Sequence, residues 1–162
     1  MRKLKNMKTL PTLLVAVFAL FSNQLFADEV KPALGGHCPV CYIAAGKAAK
    51  GSSEFQAEHK GKVYYFVSAE TRDSFKKTPE KFLPAYDGYC GFGMSLGKKF
   101  ESDPTVFTVV GDKYYLNKDA DIGKKFSADS ANLIKKADAQ WKTMTMKMAE
   151  EKKMEKEKMM KK

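Results

Sequence analysis

The sequence predicts an α+β fold, a single small domain built from two β-hairpin-plus-helix units. Two observations carry this. β-rich runs meet in pairs across glycine turns, and a capped or periodic helical stretch follows each pair. Length sets the size: 162 residues less an N-terminal targeting segment leave chain for one core and not for two.

The N-terminal segment comes first because it must be set aside. Arg2, Lys3, Lys5 and Lys8 form a basic start with no acid before Asp28. The apolar run Leu13 to Phe21 follows, and polar residues then lead to Leu25-Phe26-Ala27. That is the three-part grammar of a secretory signal, with Ala27 as the expected cleavage residue. The apolar run is about half of the ~20 residues a bilayer span needs, so a cleaved signal is expected rather than an anchor. The expected organisation is a signal at 1–27, a short linker at 28–34, the folded domain at 35–141 and a Lys/Glu/Met-rich tail, helical or disordered, at 142–162. The mature protein is expected to be periplasmic or secreted, with no transmembrane segment after cleavage.

The first hairpin reads as Phe55 to His59, a Lys60-Gly61 turn, and Lys62 to Val67. Ser68 is a good N-cap for a helix over Ala69 to Lys77 with Phe75 on one face. Thr78-Pro79 opens a further short helix, with proline at the first helical position. A weak echo of the hairpin follows in Thr105 to Val110, Gly111-Asp112, and Lys113 to Asn117. After it, Leu133, Ile134, Ala137 and Trp141 recur at helical spacing, as a core-facing stripe does.

The net charge of +10 does not describe the folded part. Setting aside four basic residues of the signal, and eight lysines and four glutamates of the tail, leaves 17 basic and 15 acidic residues. No basic stripe remains for nucleic acid, and none is expected as a partner. There is no Ser-His-Asp elbow, paired-carboxylate motif or glycine-rich phosphate loop, and two histidines leave little for general-base chemistry. An enzyme is the less expected class.

The chemistry-bearing residues are sulfurs. His37-Cys38-Pro39-Val40-Cys41 is a C-x-x-C knuckle, which brings two thiols to one soft metal ion or lets them close a disulfide. Cys90 is the third cysteine, so one thiol is left over if any pair forms within the chain, and spacing alone does not choose the pair. Cys90 lies in the glycine- and aromatic-rich stretch Tyr86 to Ser95, with Met94 four residues on and on the same face if that stretch is helical. Met144, Met146 and Met148 cluster three further soft donors in the tail, a candidate low-affinity capture arm. Two competing readings use the same cysteines. One is a thiol–disulfide oxidoreductase with Cys38 as nucleophile, and the other a non-catalytic interaction domain held by a disulfide.

Gly61 through Phe75, then Pro79-Glu80-Lys81-Phe82, Pro84, Tyr86 and Gly88-Tyr89-Cys90, resemble a YHS domain. Asp103-Pro104, Gly111, Tyr115-Leu116-Asn117 and Ala137-Asp138 to Trp141 resemble the longer exported members of that family. The resemblance spans nearly all of Gly35 to Trp141. It implies a small treble-clef-like metal-binding module of the kind attached to heavy-metal transport and sensing proteins, particularly for copper. Cys38 and Cys41 match the first C-x-x-C knuckle of the metal-handling relatives. Val67 and Thr71 stand where those relatives place a second cysteine pair. The exported relatives usually carry Asp-Pro-Val-Ala in place of Cys38-Pro39-Val40-Cys41 but keep the cysteine matching Cys90.

Structural zinc wants four ligands. Cys38, Cys41 and Cys90 offer three if the fold gathers them, and His37 is a better fourth than His59, which sits beside a hairpin turn. Copper(I) is satisfied by fewer and softer donors, so the missing second knuckle favours copper(I) over zinc. The expected site is Cys38 and Cys41 as primary ligands, Cys90 as third, and His37 or Met94 as accessory. A metal transporter or metallochaperone is the expected protein partner.

Overall fold

The computed structural model describes residues 31–161. The expected signal and its cleavage at Ala27 lie outside the described residues. Among these, ten regular elements follow one another: α1 (Pro39–Ala44), β1 (Ser52–His59), β2 (Lys62–Phe66), α2 (Ala69–Lys77), α3 (Pro79–Phe82), α4 (Gly91–Ser95), β3 (Asp103–Val110), β4 (Lys113–Asn117), α5 (Ala120–Ala128) and α6 (Ser130–Met160). A tight turn precedes α1 at Ala33–Gly36, and another precedes α4 at Ala85–Gly88. The architecture is α+β, with two separate two-stranded antiparallel sheets, β1–β2 and β3–β4.

The order is one unit of turn, helix, hairpin and two helices, traversed twice. In the first hairpin Ala57 faces Tyr64 and Glu58 faces Val63; in the second Thr108 faces Tyr115 and Val109 faces Tyr114. Both hairpins slip register at the same place, between Ser52 and Gln56 and between Asp103 and Phe107. Such a bulge bends the strand and strengthens its twist, and here each half has it. Ser68 accepts a hydrogen bond from the Thr71 amide to cap α2, and Asp119 accepts one from the Ile122 amide to cap α5. Phe75 of α2 and Phe126 of α5, at matching positions, are fully buried. α3 and α6 also match at their starts, but α3 ends at Phe82 while α6 continues to Met160.

The turns preceding α1 and α4 carry the most unusual backbone. Leu34, Gly35 and Gly36 have φ of 55°, 56° and 78°, and Tyr86, Asp87 and Gly88 have 56°, 59° and 89°. Three successive residues in the left-handed region are costly for any residue with a Cβ, which accounts for glycine at the last position of both turns. The turn begins earlier than the expected linker boundary: Ala33 and Leu34 already pack on the core.

Each half has its own apolar cluster. Cys38, Val40, Cys41, Ala57, Tyr64, Phe66, Phe75 and Phe82 form the first. Tyr86, Met94, Tyr115, Phe126 and Ala137 form the second, with Leu133, Ile134, Trp141 and Met144 of α6 against it. A third cluster of Tyr42, Tyr114 and Leu116 joins the halves. The expected α6 stripe is therefore core, as its spacing required.

Candidate functional site

Cys38 is the N-cap of α1, and Pro39 at the first helical position costs the helix no hydrogen bond. The left-handed turn delivers the chain to it: His37 donates its amide to the Leu34 carbonyl, and Cys38 donates its own to Ala49 across the mouth of the hairpin. One turn of α1 later, Cys41 returns to the same side. Cys38 is 0 % and Cys41 7 % exposed, both free thiols packed into the first cluster. Burial, and then the neighbouring Cys38 sulfur, push the Cys41 thiol up from 9.0 to about 12. The pair is buried and held from the backbone.

Cys90 repeats this placement in the second half. It is the N-cap of α4, it follows the second left-handed turn, and its amide donates to the Phe100 carbonyl as that of Cys38 does to Ala49. Its side chain is 1 % exposed, accepts a hydrogen bond from the Gly93 amide at 3.4 Å and lies 3.8 Å from Oδ1 of Asn117. Asn117 is fully buried; its Oδ1 also accepts from the Phe92 amide, while its Nδ2 has no partner among the described residues.

The remaining expected donors are dispersed. His37 is half-buried, with Nδ1 2.9 Å from the Leu34 carbonyl oxygen. Met94 is four residues beyond Cys90 on α4, fully buried in the second cluster. His59 meets the exposed Glu80 at 3.1 Å. Among the described residues no three His, Cys, Asp or Glu side chains are gathered as a metal ion would need. Helical geometry also divides the tail trio. At about 100° per residue, Met146 faces away from Met144 and Met148. Met144 packs on the second cluster, Met146 is 56 % exposed, and Met148 accepts a contact from Nζ of Lys99 at 3.2 Å.

Sequence reasoning alone does not single out Asn117, Gly93 and Phe100, although a signal is there. Pro32-Ala33-Leu34-Gly35-Gly36-His37-Cys38 and Pro84-Ala85-Tyr86-Asp87-Gly88-Tyr89-Cys90 share Pro-Ala-x-x-Gly-x-Cys. The echo seen in the hairpins extends back through the cysteines.

Among known proteins, no family model, no curated protein and no solved structure matches this chain. Among the described residues, no helix is long and apolar enough to cross a membrane.

Proposed function

We propose that this chain is an exported, periplasmic or secreted, YHS-like protein that binds a soft metal ion, copper(I), through Cys38 and Cys41, for buffering, delivery or sensing. One observation supports this above the others: two thiols one helical turn apart, one on the N-cap residue of α1 and both buried in the first cluster. Two sulfur donors in an apolar setting are enough for copper(I), whereas structural zinc wants four ligands. The resemblance of the chain to YHS domains points the same way. A transporter or metallochaperone is the expected source or recipient of the ion.

The oxidoreductase reading is less well supported by the same geometry. A nucleophilic cysteine needs a lowered pKa and exposure, and here Cys38 has no exposed surface while Cys41 is pushed up to about 12. A plain disulfide between Cys38 and Cys41 is the competing structural role for the pair.

The test is a copper(I) titration of the reduced full chain against a chromogenic chelator, repeated with C38S, C41S and the double serine variant. One equivalent for the native chain and none for any of the variants is the expected result. Equal binding by the double serine variant removes the knuckle from the account.

A further inference from the structure

The two halves correspond residue by residue, and the correspondence runs through the thiol site. From β1 onward every paired position recurs 51 residues later: Ser52–Phe66 becomes Asp103–Asn117, and His59–Lys62 becomes Val110–Lys113. At the thiols themselves the offset is 52, taking Cys38 to Cys90 and Cys41 to Gly93. The backbone bonds at this end confirm the alignment. Lys47 donates to the Cys41 carbonyl as Lys98 does to Gly93, and the amide of Gly51 donates to the Gly36 carbonyl where the hydroxyl of Ser102 donates to Gly88.

We infer that the second half holds a closed copy of the thiol centre, in which Cys90 is the counterpart of Cys38 and not a ligand to the Cys38–Cys41 pair. The closure has a specific cause. A Cβ at Gly93 would lie 2.6 Å from Cδ2 of Phe100 and 3.2 Å from the Lys98 carbonyl oxygen. A cysteine at this position is therefore blocked chiefly by the Phe100 ring. Phe100 stands where the first half has Ala49, a side chain too short to reach across. Phe100 is 42 % exposed, so removing its ring opens the position from the surface rather than hollowing the core. Asn117 marks the same site from within. It replaces Phe66, sits beside Cys90, and keeps a buried amide nitrogen without a partner among the described residues.

The chain is thus a tandem pair with one working thiol centre and one vacated one. It takes one soft ion, and the second position is restored by two substitutions, Gly93→Cys to supply the sulfur and Phe100→Ala to make room. This rests on the copper(I) reading of Cys38 and Cys41.

The experiment is the same copper(I) titration on the reduced full chain, with C90A, with G93C/F100A, and with C38S/C41S/G93C/F100A. C90A is expected to keep one equivalent at unchanged affinity and G93C/F100A to take two. The quadruple variant is expected to take one, held by Cys90 and the thiol introduced by G93C. Loss of the ion in C90A overturns the inference, because Cys90 would then belong to the first site. A folded G93C/F100A chain that still takes one equivalent also overturns it. If the native chain takes none, the reading of Cys38 and Cys41 fails separately, and the quadruple variant still decides whether the second position holds an ion. C90A keeps the inference falsifiable should G93C/F100A not fold.

Discussion

Tyr42 of the first half lies face to face with Tyr114 of the second, ring centroids 4.3 Å apart and planes within 6°. Each hydroxyl crosses to the other half: Tyr42 donates to the Pro104 carbonyl at 2.7 Å and Tyr114 to the Phe82 carbonyl at 3.1 Å. Phe107 packs edge-on against Tyr42 at 5.0 Å. Tyr42 directly follows Cys41, so the contact that joins the halves also fixes the helix that carries both thiols.

Tyr42→Ala is expected to cost about 3–5 kcal/mol, the range for emptying a buried aromatic position. Tyr42→Phe is expected to cost about 0.5–1.5 kcal/mol for the lost hydrogen bond. Urea denaturation measures both. The native chain should unfold in a single transition, and two separated transitions would show that the halves do not depend on this contact.

Matching caps predict matching losses. Ser68→Ala and Asp119→Ala each remove the side-chain acceptor at the start of a helix that buries one phenylalanine. Each should cost about 1 kcal/mol, read as a shift of the urea midpoint. A cost confined to one of them would break the functional likeness of α2 and α5.

Alkaline pH should weaken the metal-free, reduced protein through Cys41. Unfolded, the thiol gives up its proton near 9.0, whereas folded it holds it to about 12. Its contribution is therefore fully present below about pH 9 and is lost as pH rises through that window. Tyrosines add to the slope, so the measurement is the difference between native and C41A stability from about pH 8 to about pH 11. That difference should shrink with rising pH; a constant difference would mean that Cys41 does not titrate differently in the folded state. The same raised value requires a proton to leave Cys41 when an ion binds, so affinity should rise about tenfold per pH unit from this residue.

Removing residues 149–162 should leave stability within about 0.5 kcal/mol, because α6 is exposed throughout its described residues there. Copper(I) stoichiometry should stay at one. A fall to none would place the primary site in residues 149–162.

Much of this fold was legible because its signals are local. Lys60-Gly61 and Gly111-Asp112 between β-rich runs give both turns, Ser68 and Thr78-Pro79 give two helix starts, and the Leu133-to-Trp141 spacing gives the buried face of α6. The left-handed turns at Leu34 and Tyr86 were not legible, since neither residue favours positive φ and only the surrounding structure holds them there. The site was legible in part. Cys38 and Cys41 are neighbours because helical geometry makes them so. Whether Cys90 joins them depends on how the halves pack, and spacing says nothing of that. Met94 shares the α4 segment with Cys90 as expected, yet it faces the second cluster, where tertiary packing decided its role.

The measurement that decides the copper(I) proposal is the native, non-reduced mass of the protein purified from the extracytoplasmic fraction, where the proposed signal would send it. One copper ion per chain with Cys38 and Cys41 both reduced, and no ion on the C38S/C41S variant, is the expected result. A metal-free chain two hydrogens lighter than its reduced mass would contradict it, leaving the pair as a disulfide.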